Sequence, residues 1–234
     1  MRTGIGVLPT LVFLFFLSGC TAYLKTEPAL SPVQVPANLL YDDDCDSDID
    51  CAVTQPIIQH WIDVGFVKIW GMVSSAPSDL GAPTMKVFQK YYGHEGYYSI
   101  GAWAPGCGLQ NQSPWNVAVV RQFDAGDVCM NYASCGTVLR QSVANYAVSG
   151  GQANGLTYLI TGPLSCEEEF RATLADSISP LTGMEMEKRF VNKFILMNSY
   201  VPSGSEYNCV ANAAACSTFC SRPGNYLLSV YAAG

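Results

Sequence analysis

The densest run of reactive side chains is Asp42-Asp-Asp-Cys-Asp-Ser-Asp-Ile-Asp-Cys51. Acids alternate at Asp42, Asp44, Asp46, Asp48 and Asp50, as ligands do in a calcium loop, where about six to eight oxygens are needed. An EF-hand register starting at Asp42 fails at both diagnostic places. Ser47 stands where glycine makes the turn, and Val53 where a bidentate glutamate closes the site. The run therefore reads as a solvated acidic loop closed by a Cys45–Cys51 disulfide, with no metal assigned.

Nucleophilic chemistry has few candidates. A nucleophile needs a base, and the base needs a group to orient it. The chain has 2 histidines, His60 and His94. His94, next to Glu95 in a tyrosine-rich stretch, would pair with Cys107 of Pro-Gly-Cys-Gly in a Cys–His envelope hydrolase. An oxidised Cys107 would be inert. The sequence holds no Gly-x-Ser-x-Gly, no His-Glu-x-x-His and no phosphate loop. The expectation is that the chain is not an enzyme and has no catalytic residue. A third possibility is a glycan or peptide groove lined by Tyr91, Tyr92, Tyr97, Tyr98, Trp103 and Trp115, because aromatic faces bury area with few rotors.

The remaining cysteines set the redox context. Of 10, nine follow Cys20: Cys45, Cys51, Cys107, Cys129, Cys135, Cys166, Cys209, Cys216 and Cys220. With two histidines and no Cys-x2-Cys pair, zinc is a weak reading, and disulfides in an oxidising compartment are the default. The spacing suggests local bridges Cys45–Cys51 and Cys129–Cys135. Cys216 and Cys220 each bridge elsewhere, one of them to Cys209. An odd number leaves one thiol over.

Ahead of these lies Arg2, an apolar run from Ile5 to Leu17, and then Leu17-Ser18-Gly19-Cys20. The run is too short to span a bilayer, which takes about 20 helical residues. This arrangement resembles a bacterial lipoprotein signal with its lipobox. The resemblance implies cleavage before Cys20, a thioether-linked diacylglycerol on its sulfur and an acyl chain on its amine. It implies no other cofactor. Thr21, in place of the aspartate that retains such proteins at the inner membrane, implies the outer membrane, with the domain facing the periplasm.

Charge narrows the partners. The chain carries a net charge of -7, and six of its 19 acids fall within residues 42–50. No basic cluster offsets this, which excludes nucleic acid as a partner. Envelope proteins and the membrane, through the lipid, are the expected partners. The oligomeric state is open. The functional expectation is a structural or binding component of an envelope assembly such as a secretion or conjugation machine, with glycan or peptidoglycan binding as the alternative.

The elements that must position these residues are short. Residues 20–40, with Pro28, Pro32 and Pro36, read as a lipidated cysteine and tether, since proline fixes φ and cannot join a helix interior. Val33, Val35, Leu39 and Leu40 would let that tether dock. Strands are predicted at Gly65–Val73, Tyr97–Trp103, Trp115–Phe123, Leu156–Thr161 and Tyr226–Tyr231. Helices are predicted at Thr84–Tyr92, Gly136–Val148, Ser165–Ile178, Met184–Asn198 and Cys209–Cys220. Ser165/Glu168 and Thr182/Glu185 look like capping boxes. Glu167, Glu168 and Glu169 read as a solvated first turn. The expected organisation is a signal (1–19), a tether (20–40) and one disulfide-stabilised α+β domain (41–234). That domain has a mixed or antiparallel sheet and about four helices.

Overall fold

Ala37-Asn-Leu-Leu-Tyr-Asp-Asp43 becomes buried on consecutive positions from Leu39 onward, not on alternate ones. A strand of that kind needs cover on both faces, which a parallel sheet with helices on either side supplies. The computed structural model describes residues 36–45, 50–75, 80–103, 114–123, 132–197, 213–221 and 227–230. In it the chain alternates strands and helices: β1 (Ala37–Asp43), α1 (Asp50–Asp63), β2 (Val67–Ser74), α2 (Gly81–Tyr91), β3 (Ser99–Ala102), α3 (Pro114–Phe123) and β4 (Ala133–Ser134). It continues with α4 (Cys135–Val148), β5 (Leu156–Ile160), α5 (Ser165–Ala172), α6 (Gly183–Phe190), β6 (Val191–Leu196), α7 (Ala213–Ser221) and β7 (Leu227–Val230).

The strands form one seven-stranded sheet in the order β4-β3-β2-β1-β5-β6-β7. Every pairing in it is parallel. The domain does combine helices, strands and disulfides, but the expected mixed or antiparallel sheet is corrected to a parallel one. Parallel strands need a crossover between them, and here that crossover is usually a helix. The core accordingly lies in two layers. Leu40, Val138, Val143, Tyr158, Phe170 and Phe194 belong to the layer under α4, α5 and α6. Leu39, Tyr41, Ile58, Met72 and Met85 belong to the layer under α1 and α2. Leu39 and Leu40 thus part to opposite faces, as the two-residue period of a strand demands.

Several sequence expectations change. Leu39 and Leu40 lie in the central strand and not in a tether, so the 40/41 boundary falls inside β1. Trp115–Phe123 is helix α3 and not a strand. Pro114 opens it, where a missing N–H costs nothing. Val120 packs with Leu80 and Val87 of the α2 region. The apolar stretch around Ile57 is part of a full helix, α1, despite Pro56 inside it. The predicted helix over Met184–Asn198 ends at Phe190 and continues as β6. Of the two capping boxes, Thr182/Glu185 is present. The Thr182 backbone N–H donates to Glu185 Oε2 at 2.8 Å, and the Glu185 N–H donates to Thr182 Oγ1 at 3.3 Å. Ser165 caps nothing. The N-cap position there is Leu164, and the helix stops at Ala172.

Two disulfides tie the layers. Cys45–Cys51 is the local bridge the spacing predicted. Cys135 does not pair with Cys129. It bonds Cys166, 31 residues on, and so fastens the start of α4 to the start of α5. Both cysteines open a helix at the same edge of the sheet, which brings their Cα atoms to 5.4 Å. Cys216 is also disulfide-bonded. Cys20 with the lipobox, Cys107, Cys129 and Cys209 lie outside the described residues, as does the side chain of Cys220 in α7. No helix among the described residues is long and apolar enough to cross a membrane.

Closing a loop of 31 residues should stabilise the fold by about 3–4 kcal/mol through the entropy of the unfolded chain. Replacing both Cys135 and Cys166 by serine is expected to cost that amount and to lower Tm by on the order of 10 °C. Denaturant titrations of the oxidised protein and the double variant measure it.

Candidate functional site

Three consecutive acids end the central strand. Asp42 and Asp43 are fully buried and Asp44 is 5 % exposed. The solvated reading of this run is therefore corrected for these three residues. They sit where the strand order reverses, since connections from β1 run to β2 on one side while β5 lies on the other. In open parallel sheets, ligands bind outside the carboxyl ends of the strands at such a switch point.

Neighbouring strand ends hold the backbone here. The Ser75 N–H donates to Asp43 O at 3.1 Å and the Thr161 N–H to Asp42 O at 2.8 Å. The Ser74 hydroxyl donates to Asp44 O at 3.0 Å. Gly162 follows Thr161 because a Cβ there would come within 2.8 Å of the Asp44 nitrogen. A glycine is needed wherever two backbones approach this closely.

The strand period sends the side chains of Asp42 and Asp43 to different layers, and each meets different company. Asp43 faces α1. Its Oδ2 accepts from the Tyr41 hydroxyl at 2.5 Å, the Thr54 hydroxyl at 2.9 Å and Gln55 Nε2 at 3.2 Å. Its Oδ1 accepts from the Cys45 N–H at 3.4 Å. With that many donors Asp43 fixes the start of α1 to the end of β1. It is a positioning residue.

Asp42 faces the other layer. It accepts from the Tyr158 hydroxyl at 3.3 Å. Burial pushes its pKa well above the usual carboxylate value. The Asp43 and Glu167 charges add to that, while the hydroxyls of Ser75 and Tyr158 oppose it. Among the described residues no lysine or arginine forms an ion pair with Asp42. A carboxyl so placed holds its proton to higher pH than an exposed one, which suits it to act as a hydrogen-bond donor or a general acid.

Below it lies a second acidic group. Glu167 of α5 and Glu187 of α6 are both fully buried, which corrects the reading of Glu167 as part of a solvated turn. Arg171 stands between them, with Nε 3.7 Å from Glu167 Oε1 and Nη1 hydrogen-bonded to Glu187 Oε1. Burial raises the Tyr158 hydroxyl pKa, and the charges of Asp42, Glu167 and Glu187 raise it further. Sequence reasoning missed Ser75, Tyr158, Thr161 and Glu187, since none stands in a motif and each reaches Asp42 or its surroundings only through the fold.

Other candidates disperse. His94 is buried, but at the far edge of the sheet, where α1 and α2 end. Its Nδ1 pairs with Gln59 Oε1 at 2.6 Å and its Nε2 with Asp63 Oδ1 at 2.9 Å. Gln59 Nε2 in turn donates to the Tyr98 hydroxyl at 2.7 Å. His94 thus pins α1 to the turn after α2. His60 is exposed on α1. The cysteines of the described core are in disulfides, so none there stands ready as a nucleophile beside His94. The six aromatics share no groove. Trp103 follows the carboxyl end of β3, whereas Tyr91, Tyr92 and Tyr97 lie at the amino edge, and Tyr98 is buried. Metal-ligand geometry among the described residues brings together Asp43, Cys45 and Cys51, but the two cysteines are bonded to each other and offer no thiolate.

No family model matches the chain, and no curated protein matches it. Solved structures do. One is the effector protein XOO4466, at 13% identity and a TM-score of 0.58, covering 80% of this chain and 53% of that one. Another is the type III effector protein XopQ in complex with adenosine diphosphate ribose, at 14% identity and a TM-score of 0.53, with the same coverage. The likeness is one of fold, and the chain spans about half the length of these structures. It overturns the expectation of a chain that is not an enzyme: the shared fold carries ADP-ribose in XopQ, and in this chain buried carboxylates stand at the carboxyl edge of the sheet.

Asp42 gives this site a pH signature. Its pKa is raised on folding, so the folded state binds the proton more tightly than the unfolded chain. The resulting stability is full below the unfolded pKa and is lost as pH rises through the folded one. Asp42→Asn removes that dependence. Above about pH 4 the variant's stability is expected to fall less steeply than that of the natural protein, with the variant gaining relative to it as pH rises. Urea melts across that range provide the comparison.

Proposed function

We propose that this chain is an envelope lipoprotein whose α/β domain binds a ribosyl ligand of the ADP-ribose class and hydrolyses its glycosidic bond. The observation that carries the reading is the row of buried aspartates at the switch point, in one of which burial favours the protonated form. Carboxylates suit the hydroxyls of a ribose and repel phosphates. The ribose that carries the glycosidic bond therefore enters the site, and any phosphates point outward.

In this reading Asp42 is the general acid and gives its proton to the departing group as the bond at the anomeric carbon breaks. Water supplies the new bond to that carbon, and Asp44 takes the proton that the water loses. Thr161 and Ser74 hold the backbone oxygens of Asp42 and Asp44, and the Ser75 N–H holds that of Asp43 between them. The likeness to a structure that holds ADP-ribose supports the ligand class. The lipobox at Leu17–Cys20 supports a lipid-anchored place at the outer membrane, facing the periplasm.

Purified protein incubated with ADP-ribose and with simple nucleosides, with and without calcium, is expected to release the free base, adenine from ADP-ribose, with free ribose as the second product only from the nucleosides. Asp42→Asn should lower kcat by about 100-fold or more, the usual share of a general acid. Calorimetry that detects no binding of either ligand class, with or without calcium, would sink the ribosyl reading.

A further inference from the structure

The helices α1, α2 and α3 all run from the carboxyl edge of the sheet back to its amino edge. Toward that amino edge they expose large apolar side chains. On α1, Val53, Ile57 and Trp61 recur every four residues and so share one stripe, which starts beside the acidic corner at Val53 and reaches the amino edge at Trp61. Val64 and Phe66 extend it past the end of the helix, and Phe66 is 51% exposed. The series continues through Asp63, which meets His94, and His94 lies 5.3 Å from the ring of Tyr97. Tyr91 follows through Tyr92, with Phe123 of α3 5.9 Å beyond. Tyr91 and Tyr97 are 69% and 67% exposed. Single exposed apolar residues are ordinary on a protein surface, but a contiguous set marks an interaction face.

We infer that this aromatic amino edge docks on the lipid bilayer surface and holds the acidic site, at the opposite edge, facing away from the membrane. The inference rests on the reading of Cys20 as a lipid attachment site.

Three observations select a bilayer as the occupant. First, the chain enters the domain at this edge: the Ala37 N–H donates to Phe66 O at 2.9 Å. Pro36 stands only 16 positions after Cys20, a reach of about 50 Å even when fully extended at about 3.1 Å per residue. A tether this short keeps the face at an effective concentration on the order of millimolar, so even a weak intrinsic affinity is satisfied. Second, tryptophan and tyrosine, apolar at one end and polar at the other, are the side chains that favour the headgroup boundary. Third, exposed Lys68, Lys90 and Arg121 border the same edge, although the chain as a whole is acidic. Cations there suit anionic headgroups.

The test uses the full lipidated chain reconstituted in phosphatidylethanolamine–phosphatidylglycerol vesicles. Intact mass is read first, to establish the lipid on Cys20. Hydroxyl-radical footprinting in vesicles is then compared with footprinting in detergent. Trp61, Phe66 and Tyr97 are expected to be modified at least fivefold less in vesicles, with Trp103 at the carboxyl edge unchanged. The variant Trp61→Ser with Phe66→Ser, still lipidated and still able to release ribose, should lose the protection of Tyr97. Equal modification of Trp61 and Trp103 in a lipidated, vesicle-bound chain overturns the docking face alone. Protection that grows with protein density at fixed lipid assigns the face to a second copy and overturns the inference. Protection found in native envelope but not in vesicles assigns it to a protein partner and does the same. A mass without lipid overturns the anchor reading, and the docking with it.

Discussion

Three carboxylates in succession at the end of a strand buried on both faces present a problem of solvation. Each ionised group withdrawn from water costs several kcal/mol unless it is paired, hydrogen-bonded or protonated. The strand period splits the problem. Asp43 goes to one layer, where two hydroxyls and an amide side chain keep it solvated by protein. Asp42 goes to the other, where donors are fewer and Glu167 and Asp43 are near, and there burial favours the protonated form. Asp44 is held through its backbone oxygen by Ser74, with Gly81 and Gly162 packed close beside it. The surrounding topology follows from this need. Only the central position of a doubly covered sheet brings enough hydroxyls and backbone N–H groups around one strand end.

Such a site differs from a metal cage built of the same residue types. A cage needs carboxylates that converge on one point and remain ionised. Here the alternation of the strand drives Asp42 and Asp43 apart, and the arginine that balances the buried charge, Arg171, is shared by Glu167 and Glu187. The arrangement suits proton transfer and hydroxyl recognition, which is the chemistry of sugars.

What the sequence disclosed was mostly local. The Thr182/Glu185 box, the helix at Gly136–Val148 and the Cys45–Cys51 bridge each depend on residues within a few positions of one another, and each was readable. The acidic run was picked out as chemically dense, yet its burial was not. Aspartates are poor strand formers, and nothing within residues 37–43 says that five other elements will cover them. Two further misreadings hid the parallel sheet. No helix was expected over residues 50–63, where α1 runs, and Trp115–Phe123 was expected as a strand where α3 runs. With both helices in place the chain alternates strand and helix almost throughout, and that pattern implies a parallel sheet. The Cys135–Cys166 bond and the Glu187 contribution lay beyond reach for another reason. They join positions that only the completed fold makes neighbours.

The Cys45–Cys51 bond spans the corner between the strand that delivers the aspartates and the helix that receives Asp43's hydrogen bonds. Its closure requires an oxidant, and thiol-reducing surroundings withhold one. A newly made chain in such surroundings has the strand and the helix but lacks the clasp between them. The acidic corner is therefore latched only where an oxidant is present, and its rigidity follows the redox state of the surroundings.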